Sequence, residues 1–101
     1  MWLFAMFDLP VTTPQARREY VQFRKILLQE GFSMLQFSVY ARYCPSEEAS
    51  ATHRRHLRYQ LPPGGQVRLL SVTEVQFRKM EVFHGRKKAA PEEPPPQLLL
   101  F

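Results

Sequence analysis

Gly31-Phe32-Ser33-Met34-Leu35-Gln36-Phe37-Ser38-Val39-Tyr40-Ala41-Arg42-Tyr43 is the stretch on which the fold turns. From residue 33 onward it carries Val39 and the aromatic residues Phe37, Tyr40 and Tyr43, side chains favoured in strands. It reads either as one long strand or as two short strands with a break near Gln36 to Ser38, and the residues alone leave both readings open. If it splits in two, the chain follows β-α-β-β-α-β, the ferredoxin-like plan of an α+β domain.

Upstream, residues 2–7 read Trp-Leu-Phe-Ala-Met-Phe, a short continuous apolar run ended by Asp8-Leu9-Pro10. Such a run predicts a strand buried on both faces, and Pro10 cannot continue a ladder. Thr13-Pro14 then opens a helix, with Thr as N-cap and Pro at the first helical position. The helix is expected to reach about Glu30 and end at Gly31. At the helical repeat, Ala16, Tyr20, Phe23 and Leu27 form an apolar stripe, while Arg17, Arg24, Arg18 and Lys25 form a separate basic one.

Downstream, Ser46-Glu47-Glu48 places an N-cap before acids in a first helical turn, and this second helix is expected to run to about Gln60. Pro62-Pro63-Gly64-Gly65 is a loop. Val67 to Thr73 predicts a third strand region, Val75 to Arg78 a turn of helix, and Met80 to Phe83 another short strand. Residues 1–84 therefore form the ferredoxin-like domain. Residues 85–96, basic and then proline-rich, read as a linker, extended and partly polyproline II. Residues 97–101, Gln-Leu-Leu-Leu-Phe, read as an additional C-terminal strand that joins a sheet edge, with a frayed terminus as the bland alternative.

The chain has 101 residues, enough for one core, with roughly 65% of the unfolded surface buried. Fourteen Lys and Arg face nine Asp and Glu, a net charge of +5, which points to an anionic partner, nucleic acid first. The single cysteine, Cys44, excludes an intrachain disulfide framework and multi-cysteine zinc motifs, and fits a cytoplasmic setting. The longest apolar run, Met1 to Phe7, is far short of the ~20 residues of a membrane span, so no membrane partner is expected. No basic region precedes that run, which argues against a signal peptide.

Asp8 is the acid of most interest, because it stands where a strand meets a turn. It could serve as a metal ligand or general base, or simply as a turn-forming aspartate. A lone carboxylate makes a weak site unless a two-fold axis brings a second copy opposite it. His53 and His56, three apart on a helix, have a spacing that can ligate zinc. No acid or cysteine in the local sequence completes a set and the surroundings are rich in arginine, so a solvated basic face is the better reading. His84 gains no role, and Cys44 reads as a structural thiol. The bases recur on both helices, at Arg42, at Arg68 and at Arg78-Lys79, with little compensating acid. Without a base-reading motif, binding is expected through phosphates and with weak sequence dependence.

Trp2 to Pro10, Arg17-Arg18 through Leu28, Gly31 to Arg42 and Leu69 to Phe77 together resemble the small CRISPR-adaptation subunit, the Cas-two family, over about residues 2–84. The combination of Phe7-Asp8 after the first strand with Gly-Phe-x-Met-x-Gln-x-Ser-Val-Tyr carries the resemblance. It implies a ferredoxin-like fold, a two-fold homodimer, and an assembly in which dimers of the Cas-one integrase flank this dimer during capture of spacer DNA. It implies that Asp8 is the metal-binding and catalytic aspartate, holding Mg²⁺ at the dimer interface, with nuclease activity assigned in the family on RNA or DNA. Double-stranded DNA, and single-stranded RNA as a nuclease substrate, are the implied nucleic acids. Arg17, Arg18, Arg24, Lys25, Arg42 and Arg78 are the expected nucleic-acid contacts. A stand-alone, toxin-like endoribonuclease is the alternative.

Overall fold

A computed structural model describes residues 1–88. The elements in chain order are β1 (Trp2–Asp8), α1 (Pro14–Gln29), β2 (Ser33–Gln36), β3 (Val39–Tyr43), α2 (Glu47–Arg58), β4 (Gln66–Val72), α3 (Glu74–Arg78), β5 (Phe83–His84) and β6 (Lys87–Lys88). Residues 33–43 are therefore two strands, and the fold is the expected α+β, ferredoxin-like βαββαβ. The main sheet has the order β2-β3-β1-β4, with every neighbour antiparallel. Each long helix links two strands that flank a third, the split βαβ arrangement.

The hairpin between β2 and β3 turns at Phe37-Ser38, where Ser38 adopts a left-handed φ of 65°. Its carbonyl accepts a 3.1 Å bond from the Phe7 amide, and its hydroxyl lies 3.4 Å from that of Tyr20. Those contacts hold a conformation that serine otherwise disfavours.

The caps follow the sequence. Thr13 Oγ1 accepts from the Ala16 amide at 3.0 Å, and Ser46 Oγ accepts from the Ala49 amide at 3.1 Å. Thr73 and Gln76 close a capping box on α3. The second helix stops at Arg58, with Tyr59 as its cap, slightly short of the expected end. The strand expected over Met80 to Phe83 is displaced: the extended pair is Phe83–His84, which joins Lys87–Lys88 across a Gly85-Arg86 turn. Gly85 takes a left-handed φ of 66°, which favours a tight turn there. This hairpin takes in the first residues of the stretch read as linker, while the rest of that linker and the strand expected at 97–101 lie outside the described residues.

The two faces of the sheet differ. Leu3, Ala5 and Phe7 of β1 point to the helices and form the main core with Phe23 and Leu27 of α1, Tyr40 of β3 and Leu57 of α2. The alternate set, Trp2, Phe4, Met6 and Asp8, points to the opposite face. There Phe77 of α3 stacks on Trp2, with ring centroids 4.0 Å apart and 9° between planes, and covers one end. Towards Asp8 the face opens. Phe4 and Met6 are half-buried, and Leu70 on the neighbouring strand is exposed. The run 2–7 is apolar throughout because β1 is central and both of its faces need apolar side chains, although among the described residues only the helical face is fully covered.

Candidate metal and nucleic-acid site

Asp8 ends β1 on the open face of the sheet, exposed, paired in register with Gln66 of β4. Met6, Phe7, Gln66 and Arg68 surround it in a shallow depression. Its backbone is held from behind by Gly65, whose φ of 77° lets the loop pass where a side chain would not fit. A Cβ at Gly65 would overlap the Asp8 carbonyl oxygen and the Leu9 side chain. Among the described residues no cluster of three ligating side chains includes Asp8. Among the described residues, Asp8 thus offers a single hard oxygen ligand at this depression. That donor suits Mg²⁺, which takes one or two carboxylates and keeps several waters, and it leaves a second carboxylate to come from elsewhere.

The basic residues occupy other surfaces. Arg17, Arg18 and Lys25 are exposed and border a shallow groove on the outer side of α1, with Pro14, Val21 and Gln22. Arg17 donates to the Val11 carbonyl at 3.2 Å and Arg18 to Gln15 Oε1 at 2.8 Å, so both are positioned along the helix. Arg24 donates through Nε to the Tyr40 hydroxyl at 3.0 Å. Arg78 is exposed and pairs with Glu74 at 2.9 Å. Arg42 stands apart: it is half-buried, and its Nη1 donates to the Glu30 carbonyl at 2.9 Å. It braces the end of α1 where that helix turns at Gly31, and a Cβ at Gly31 would overlap Arg42 Nη1.

A third constellation was not legible in the sequence. Glu30, the C-cap of α1, meets His53 and His56 of α2. Glu30 Oε2 lies 2.7 Å from His53 Nδ1, and Oε1 lies 3.1 Å from His56 Nδ1. The missing acid thus comes from the other helix, and the pair is not a purely solvated basic face. Burial alone would raise the Glu30 carboxyl, but the hydrogen bonds and charges of both histidines outweigh it and hold the group below its ordinary range. Cys44 is fully buried, as expected of a structural thiol. Burial pushes its thiol up, against the opposing pull of Arg42's charge.

A four-stranded antiparallel sheet with both long helices on one face, and a carboxylate at the rim of the other, defines a ferredoxin-like module open to pairing on one side. Residues 1–80 match the family model described as CRISPR associated protein Cas2. The chain is 46% identical to the CRISPR-associated endoribonuclease Cas2 of Parvibaculum lavamentivorans, with both proteins covered in full. It is 42% identical to the protein of the same name from Flavobacterium psychrophilum, covering all of this chain and 88% of that one. It is 43% identical to that of Lacticaseibacillus rhamnosus over 87% of each. The chain belongs to the Cas2 family, as the sequence motifs implied. Among the described residues, no helix is long and apolar enough to cross a membrane.

Proposed function

We propose that this chain acts in the cytoplasm as a homodimeric, DNA-binding scaffold in CRISPR spacer acquisition, partnered by the Cas-one integrase. In isolation it is a Mg²⁺-dependent endonuclease on RNA or DNA. The observation that carries this reading is the open sheet face, with Phe4, Met6 and Leu70 incompletely covered and Asp8 at its rim. A second copy packed there across a two-fold axis buries the apolar surface and sets a second Asp8 against the first. Endoribonuclease is the activity named for the relatives.

Two roles then separate in space. Arg17, Arg18, Arg24 and Lys25 lie in the helix layer and grip phosphates, with Arg42 behind them as the brace already bound to Glu30, while Arg78 on α3 adds a contact from the other face of the sheet, at its Trp2 end. Asp8, on the other face, holds the metal with its symmetry mate. When bound there, Mg²⁺ supplies an activated water and offsets charge on the phosphoryl oxygens. Asp8 itself orients that centre at the dimer rim, where its exposed carboxylate is reachable by a nucleic-acid strand.

The test uses the full chain and Asp8→Ala, each with labelled duplex DNA and single-stranded RNA, in Mg²⁺ or in EDTA. Cleavage lost in the variant and in EDTA, with duplex binding retained by both, is the expected result. Cleavage that persists in EDTA would overturn the nuclease assignment, and loss of duplex binding in Asp8→Ala would overturn the separation of roles. A chain that cleaves RNA but forms no stable complex with the integrase would favour the toxin-like alternative.

A further inference from the structure

The geometry points to a second metal site, distinct from Asp8: Glu30, His53 and His56 form a site for a zinc-class divalent cation that staples the end of α1 to α2. The two are far apart in the fold. α1 starts beside the Asp8 end of β1 and runs back for 16 residues, roughly 24 Å, before Glu30. Glu30 lies in the helix layer, whereas Asp8 faces the open side of the sheet.

The ligand atoms are already gathered. One atom from each of the three side chains lies within 4.8 Å of the others. With metal–ligand bonds of about 2.0–2.1 Å, tetrahedral ligands stand about 3.3 Å apart. The Glu30–His53 and Glu30–His56 separations of 2.7 and 3.1 Å lie close to that spacing, so small rotations of the side chains suffice.

The backbone under the acid is preset. Glu30 is fixed by the Arg42 bond to its carbonyl and by its own amide bond to the Ile26 carbonyl at 3.0 Å. His53 and His56 share one face of α2, three residues apart. Glu30 and His53 are each only 18% exposed, while His56 is 50% exposed and gives the ion a way in.

Two imidazole nitrogens and one carboxylate oxygen are the donors of a three-ligand zinc site with a fourth position for water, and they are a poor set for Mg²⁺. The arginines nearby do not compete for the carboxylate. Arg42 is bound to the Glu30 main chain, and Arg54 pairs with Glu47 at 3.2 Å. A divalent ion seated between the three side chains takes the place of the hydrogen bonds that now join the carboxylate to the two rings.

The experiment titrates Zn²⁺ into the untagged full chain against a chromophoric chelator of known affinity. Ring proton signals of the three histidines are followed in parallel. One Zn²⁺ per chain is expected, with His53 and His56 signals shifting and His84 unmoved. His56→Ala and Glu30→Gln are each expected to weaken binding at least tenfold. Asp8→Ala is expected to bind Zn²⁺ as the parent does. Because His56 is half exposed, His56→Ala should keep the fold, which circular dichroism checks. Absence of saturable binding by the parent, or undiminished binding by a folded His56→Ala, would overturn the site.

Discussion

Gly65 passes so close to Asp8 that a single methyl group on its α-carbon would overlap the Asp8 carbonyl oxygen. Gly65, in the connection between α2 and β4, therefore packs against the backbone that carries Asp8. Gly65→Ala must adopt a left-handed φ of 77° and also push the end of β1 aside. It should lose at least ~1–2 kcal/mol in urea unfolding from the backbone conformation alone. Gly64→Ala is the control, since its Cβ would meet only Pro10 at an ordinary 3.6 Å. Equal stability of the two variants would contradict the close approach.

The Trp2–Phe77 stack ties α3 to the sheet. Phe77 is 3% exposed and touches both Trp2 and Phe4. Phe77→Ala should cost about 3–5 kcal/mol in chemical denaturation. Trp2 is the sole tryptophan, so its emission should shift to the red in the folded variant as solvent reaches the ring. Unchanged emission would mean that α3 is not the cover for this end of the face.

These relationships were unequally legible in the chain. Helix starts at Thr13 and Ser46 could be read because capping is a local matter of one hydroxyl and one amide. The break near Gln36 to Ser38 could be read only as one of two alternatives, because it carries none of the Asn or Gly residues that mark tight hairpins. What holds Ser38 in place is the Phe7 amide, a partner 31 positions away in the chain. The Glu30 cluster is hidden for the same reason, with its histidines 23 and 26 residues distant. A signal was present: an acid at a helix end before Gly31, and two histidines one turn apart on the other crossover helix. Joining them requires knowing that both helices cover one face of the sheet. Asp8, by contrast, was legible as a strand-end carboxylate, and what the fold adds is the face on which it lies.

The open face makes a prediction about assembly. Leu70 is 50% exposed on β4 and pairs in register with Phe4. If a second copy covers this face, Leu70→Glu buries two charges across the axis and should weaken dimerisation by well over tenfold, more than ~1.4 kcal/mol. Sedimentation equilibrium would read the shift. A variant that dimerises as tightly as the parent would place the partner on another surface.

Cys44 supplies a pH dependence. Its thiol is fully buried and held above its ordinary value, so the folded chain keeps the proton that the unfolded chain releases. A group raised in the folded state stabilises below the unfolded value and loses that contribution as pH climbs through the folded one. Stability should therefore decline from about pH 8.5 upward. Cys44→Ala should flatten that part of the profile, whatever its effect at neutral pH. The native thiol should also resist alkylation until the chain unfolds. Rapid labelling of the folded protein would show that the thiol is not sequestered.

The basic face of α1 is best tested by the salt dependence of duplex binding rather than by affinity alone. Arg17, Arg18 and Lys25 are exposed on one helix surface, and each phosphate neutralised contributes about −0.9 to the slope of log affinity against log salt. Replacing Arg17 and Arg18 by Ala should make the slope shallower by roughly 0.9 for each phosphate that the variant no longer neutralises. Arg42→Ala should behave differently. Its guanidinium braces the Glu30 carbonyl, so the variant should lose stability while altering the slope less than removal of the α1 pair does. A slope unchanged in the Arg17 and Arg18 double variant would move the nucleic-acid surface off this helix, with the exposed Arg55 and Arg58 of α2 the next pair to replace.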